Sequence, residues 1–423
     1  PSEPDSVVSS IPVQALRDSV ESALPSPDDF TFRDYSMKFS PDYVVQPSVG
    51  YVRDNFGSGV YGGTAISLSD MLGNHRMLAA GQVNGRLDEA LILGVYANLS
   101  RRVNWAVGVS QTPYFYYAAA GLRPDTAGQL ERVTTLDRYV FREAFIEAFR
   151  PFNRFRRLEL SLRVAHVQRD AIDIVETFDV VNGAPFDRTR TTRGLGSVNY
   201  LQPAVALVFD NSISLWVGPW MGRRSRLEYA PAIGGWTYHQ FLADIRRYDN
   251  IAGPFTLATR FLFFGRFGRG DDAFPVFLGR PELVRGYTSG SLRDNECLSD
   301  DAGSYSGCAA LDQLIGSRIA VVNAELRFPL TRTLLLGFAP IGLPPIEGAI
   351  FFDAGIAWDS RSQLRLSRAE SDNQDLVRVP VTSWGISLRA NALGIMILRF
   401  DYAKPLTRSA QGSYWTVSLG PTF

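Results

Sequence analysis

Residues 156–165, RRLELSLRVA, set Leu158, Leu160, Leu162 and Val164 against Glu159, Ser161 and Arg163. A strict period of two sends successive side chains to opposite faces of a strand, whereas a helix would scatter the charges around its axis. A strand of this kind needs an apolar medium on one side and water on the other. Residues 319–328, IAVVNAELRF, repeat the pattern, with Val322, Ala324, Leu326 and Phe328 opposite Asn323, Glu325 and Arg327. In 395–403, IMILRFDYA, the apolar face is Met396, Leu398, Phe400 and Tyr402 and the polar one Arg399 and Asp401. Residues 90–100, ALILGVYANLS, alternate as well, Leu91, Leu93, Val95, Ala97 and Leu99 on one face and Gly94, Tyr96 and Asn98 on the other.

Outward from these stretches, turn-forming clusters divide the chain into about sixteen alternating segments, the even number that a closed single-chain bacterial barrel requires. They fall near 43–54, 59–70, 75–84, 88–99, 103–116, 135–149, 155–174, 195–210, 221–230, 236–249, 254–267, 317–329, 346–358, 378–390, 393–404 and 412–423. The segment 139–149 is ambiguous, because Glu143 and Glu147 share parity with Phe141 and Phe145 at a spacing that also suits a helix; it reads as a strand. Tandem β-sandwiches also use alternating strands, but of about five or six residues, shorter than these bilayer-length segments.

Composition agrees. Lys+Arg and Asp+Glu are 43 each, which argues against a nucleic-acid partner. No apolar run reaches the roughly 18 residues that a transmembrane helix needs. A mean hydropathy of −0.05 is compatible with strands that present lipid-facing and lumen-facing residues in turn. The expected fold is therefore all-β, a closed transmembrane antiparallel β-barrel over residues 43–423, with outer-membrane lipids as its surroundings. Residues 1–42, rich in Pro, Ser and Asp, read as an N-terminal linker or periplasmic segment with one short amphipathic stretch, Val13, Leu16, Val20 and Leu24. The start at Pro1, without an initiator Met, suits a processed chain or a fragment. Cys297 and Cys308, close together in a polar loop, suit a local disulfide made in an oxidising compartment.

The end of the chain, 415–423, WTVSLGPTF, places Trp415, Val417, Leu419 and Phe423 on one face. It resembles the C-terminal signal of bacterial outer-membrane barrels, which implies that membrane as the location. Between Phe267 and Ser317 lies a segment of about fifty residues, too long for a plain connector. It contains 279–291, GRPELVRGYTSGS. Its Val284, Arg285, Gly286 and Tyr287 resemble the VRG(F/Y) motif of the outer-membrane protein 85 superfamily, the BamA and TamA type. The following 323–330, NAELRFPL, and 351–355, FFDAG, resemble the family's next strands in the same order.

The resemblance implies a loop, 268–316, folded back into the barrel lumen, and a role in inserting or translocating proteins. Client proteins and periplasmic subunits are then the partners to expect, and the first and last strands should meet in a weak lateral gate, to which Pro47 and Pro421 contribute by removing ladder donors. The family's periplasmic POTRA repeats are missing from this chain. Independently, an arginine in a partly dehydrated lumen must be paired, and parity places Asp353 and Glu325 as lumen acids within its reach. The expectation is that Arg285 pairs with Asp353 with Glu325 nearby, Gly286 allows a close backbone approach, and Tyr287 packs on the wall.

Catalysis is not expected: His75, His166 and His239 are the chain's histidines, and none stands in a recognisable nucleophile and base pattern. Nor is there ligand spacing for a metal, or a phosphate-binding glycine loop, so no cofactor is expected. The competing readings are a passive diffusion pore and an outer-membrane anchor for a periplasmic domain or complex.

Overall fold

A computed structural model of the chain describes residues 35–45, 48–54, 57–124, 130–178, 185–215, 217–288, 291, 298–299, 305–307, 309–331, 334–335, 342–343, 345–367, 377–392, 396–408 and 412–419. One large antiparallel sheet dominates, in which each strand ladders onto its neighbours in sequence. Phe39–Val44 and Ser48–Asp54 are two pieces of the first strand, both paired with Gly57–Asp70. The wall thus begins at Phe39 rather than near Tyr43.

His75–Asn98 is one unbroken extended run of 24 residues, yet its ends touch. The Leu99 amide donates to the Asn74 carbonyl at 2.6 Å, and His75 stacks on Tyr96 with Nδ1 2.7 Å from the phenol oxygen. A straight strand of that length would separate its ends by roughly 80 Å, so the run doubles back near Arg86 and supplies two wall strands. The first arm pairs with Gly57–Asp70 and the second with Asn104–Pro124. Counted this way, the described residues hold sixteen wall strands, the number that the alternation implies. The ambiguous 139–149 lies inside the strand Leu130–Asn153, laddered on both edges.

The sheet is inside out relative to a soluble protein. Val322 and Ile350 are half exposed, as are Leu160, Val164, Trp384 and Ile386, while their strand neighbours Glu325, Arg327, Asp353, Arg389 and Asp401 are at most 1 % exposed. Charges hidden and aliphatics displayed are stable only if the displayed face meets hydrocarbon. The hidden face surrounds a lumen, because the segment between Phe267 and Arg318 touches opposite walls. Phe274 packs on Tyr139 and Phe141 of one strand (ring centroids 6.2 and 5.1 Å), while Arg399, nine strands further on, donates to the Pro281 carbonyl at 3.1 Å.

Strands Leu130–Asn153, Arg156–Phe178 and Pro185–Asp210 run for 24, 23 and 26 residues, well past the nine to eleven that cross a bilayer. Sequence alternation missed this height, since outside the membrane both faces carry mixed residues. A buried ionic clasp steadies the extension: Arg138 meets Asp170 at 2.6 Å, Asp88 at 2.7 Å and Glu89 at 2.9 Å, and Arg190 also pairs with Glu89. The short turns at 154–155 and 253–254 lie at the opposite end of the wall. Short turns mark the periplasmic side of such barrels, so the extension and the 268–317 segment belong to the outer side.

Among the described residues, the last strand, Tyr414–Leu419, pairs with Met396–Pro405, and no ladder joins it to Phe39–Val44 or Ser48–Asp54. Residues 1–34, Pro47, Cys297, Cys308, Pro421 and Phe423 lie outside the described residues.

Candidate functional site: a loop latched in the lumen

The loop is held first at its neck. Val276–Phe277 pairs with Ile315–Gly316, and Arg318 meets Asp271 at 2.8 Å. Inside this neck, Leu278, Val284, Tyr287 and Leu314 pack against the wall residues Leu262, Ile319, Val321, Ala357 and Val381. An apolar patch on the lumen face of a water-facing wall has a purpose only if something covers it, and the loop does so.

Arg285 sits at the centre. Its Nε and Nη2 donate to the two oxygens of Asp353, both at 2.7 Å, and Nη1 donates to Glu325 at 2.8 Å. The Arg285 amide also donates to Asp353 at 3.2 Å, and Asp401 lies 3.9 Å from Nη1. This forked pairing uses the planar guanidinium in a way that a lysine could not. Burial works against the charge on Arg285, but the charges of Asp353 and Glu325 outweigh it and hold the group above the ordinary arginine range.

The residues of 351–355 divide the work by parity. Phe351 lies under the guanidinium, 3.4 Å from its carbon to the ring centroid. Asp353 takes the fork. Gly355 leaves the hollow that Val284 and Leu278 fill, since a Cβ there would lie 2.7 Å from one and 3.0 Å from the other. Asn323 completes the seat, donating to Asp353 and to the Leu283 carbonyl, both at 2.8 Å. The alternation puts Asn323 on the polar face with Glu325, and Phe351 shares the parity of Asp353, but neither residue is expected in the seat from sequence alone.

Gly286 has φ +85°, and a Cβ on it would stand 3.0 Å from Pro405 and 3.2 Å from Ala403. Gly286→Ala is therefore expected to cost about 1–2 kcal/mol through left-handed strain and the close contact, read as a lower unfolding midpoint in detergent. Tyr287 donates its hydroxyl to the Thr382 carbonyl at 2.7 Å and lies 2.7 Å from the Thr407 hydroxyl. Arg408 then caps the turn, donating to the Gly286 carbonyl at 3.0 Å and the Ser291 carbonyl at 2.7 Å.

Glu325 reaches further than expected, because it also binds Arg327 at 2.8 Å and Arg389 at 2.6 Å, with Glu347 3.2 Å from Arg389. The latch is thus one end of a charge network along the wall. At the C-terminal end, Trp415 and Val417 face outward, 71 % and 64 % exposed, with Trp415 against Tyr402. Leu419 closes the last strand in the same register. The three histidines bond to Tyr96, Asn199 and Tyr229, not to one another.

Residues 222–423 match the Omp85 superfamily domain. In shape the chain is similar to BamA from Haemophilus ducreyi lacking POTRA domains 1-3, at TM-score 0.54 and 15 % identity over 91 % of this chain and 70 % of that one. It also aligns with CdiB from Escherichia coli (TM-score 0.48, 13 % identity, 91 % and 67 % covered) and CdiB from Acinetobacter baumannii (TM-score 0.47, 11 % identity, 91 % and 64 % covered). The chain thus spans under two thirds of the Acinetobacter baumannii protein. At these identities the likeness concerns the fold alone, and no curated protein matches the chain in sequence. The domain match, the inside-out wall and the buried VRGY loop lead to one assignment: residues 222–423, just under half of the chain, form an Omp85 superfamily domain within an outer-membrane β-barrel.

Proposed function

We propose that this barrel inserts proteins into the outer membrane or passes them across it, as a scaffold of the BamA and TamA type. The observation that carries the reading is the latched loop. A passive pore gains nothing from a lumen segment clamped by a four-group buried charge cluster, since such a clamp costs desolvation and narrows the channel. A moving scaffold gains a device with two states, loop seated or loop released.

The seam, across which no ladder joins the described residues, supports the same reading. A six-residue last strand, Tyr414–Leu419, with no described ladder to the first strand leaves backbone donors and acceptors that a client strand could satisfy. Outer-membrane clients and periplasmic subunits are the partners this reading requires. Arg285, Asp353 and Glu325 are the residues proposed to set the loop, and Trp415, Val417, Leu419 and Phe423 those proposed for the chain's own assembly.

The test is a liposome insertion assay with the purified barrel and an unfolded outer-membrane client. Insertion faster than in empty liposomes, and slowed by Arg285→Ala, is the expected result. The same preparation should show small, flickering single-channel currents that grow when residues 279–291 are deleted. Large steady currents from the unaltered chain, with no gain in insertion, would overturn the reading in favour of a pore.

A further inference from the structure

A second site lies at the outer rim, away from the latch. A cavity of about 410 Å³ is bounded by the 235–237 turn, the start of the loop, and Arg169. That volume is within the range of small-molecule sites. Arg169 and Arg269 both line it, together with Trp236, Thr237, Gly270 and Asp272. The Arg169 Nε is buried and has no hydrogen-bond partner among the described residues.

Beneath the rim, Arg266 is fully buried, and none of its three guanidinium nitrogens has a hydrogen-bond partner among the described residues. It lies 4.2 Å from the ring of Phe274, the residue next to the cavity-lining Ala273. An aromatic ring offsets part of a buried cation's cost, but it accepts no N–H in the way an anion does. Nearby acids do not balance these charges. Asp271 is taken by Arg318, and Asp137, within electrostatic reach of Arg169, has Arg193 as well. Three arginines against Asp272 leave an excess of two positive charges around the cavity.

We propose that this cavity binds a phosphomonoester of sugar size, with Arg169 and Arg269 forking onto the phosphate and Asp272 accepting from a sugar hydroxyl. A phosphate dianion matches the excess charge, and the two arginines that line the cavity carry the planar donors that fork onto its oxygens. The site is independent of what the barrel inserts. Its ligand could be a soluble sugar phosphate or the phosphorylated headgroup of a glycolipid.

Calorimetry on the detergent-solubilised full chain separates the outcomes. Glucose 6-phosphate should bind saturably, and glucose should not. In the double variant R169Q/R269Q, with its β-sheet circular dichroism unchanged, affinity should fall at least about tenfold. Competition by phosphorylated but not by dephosphorylated lipopolysaccharide micelles identifies a glycolipid headgroup; absence of competition identifies a soluble ester. No saturable binding of glucose 6-phosphate, or binding that is undiminished in the double variant, would overturn the proposal.

Discussion

Arg285→Ala should release the loop while leaving the wall standing. The substitution removes the fork to Asp353 and the bond to Glu325, and it strands the Asp353 carboxylate, which is 0 % exposed, whereas Glu325 keeps Arg327 and Arg389. Breaking a buried pair from one side costs about 3–5 kcal/mol, most of it the unpaired charge left behind. The measurements are limited proteolysis within 279–291 and the urea midpoint in detergent. Faster cleavage with a lowered midpoint is expected, and Arg285→Lys should fall between the two, because an ammonium cannot fork. Cleavage as slow as in the unaltered chain would show that Tyr287, Arg408 and the neck hold the loop without the latch.

Glu325→Ala should damage more than the loop. One carboxylate serves Arg285, Arg327 and Arg389, so its loss leaves three buried guanidiniums competing for fewer acids. Arg389 keeps Glu347 and Arg285 keeps Asp353, whereas Arg327 loses the carboxylate beside it. The expected cost is again about 3–5 kcal/mol, but it falls on the strands themselves as a drop in the thermal midpoint of the whole barrel. Since Arg285 and Glu325 share a contact, the double variant should cost less than the sum of the two single ones. Strict additivity in that thermodynamic cycle would mean that the two act on separate parts of the molecule.

The two substitutions also separate what was legible from what was not. The pairing of Arg285 with Asp353 could be anticipated because motif and parity together left few inward acids on adjacent strands. The reach of Glu325 to Arg389 could not, because these residues are 64 apart and their strands are separated by Ile346–Trp358. The place of Phe351 is illegible in sequence for a different reason. A phenylalanine inside a charged lumen breaks the alternation that located the strands, and its place under a guanidinium appears only once the loop has folded back. The tall strands from 130 to 210 outrun their alternating segments, because period-two alternation weakens where no bilayer enforces it.

Sequence alone determined that this chain makes strands, how many, and, where charges mark one face, which face meets lipid, since a period of two fixes side-chain direction without reference to any other part of the chain; in 90–100, where neither face carries charge, the exposed face is that of Ile92, opposite Leu91 and Leu93. It also located the loop, by a motif and by a gap too long for a turn. Tertiary structure decided where the charges find partners. Ion pairs across a lumen depend on the register and curvature of distant strands, and a one-residue slip would turn every one of those carboxylates into the membrane. The same holds for the rim cavity, whose arginines lie 100 residues apart and line one space only because the wall surrounds the returning loop.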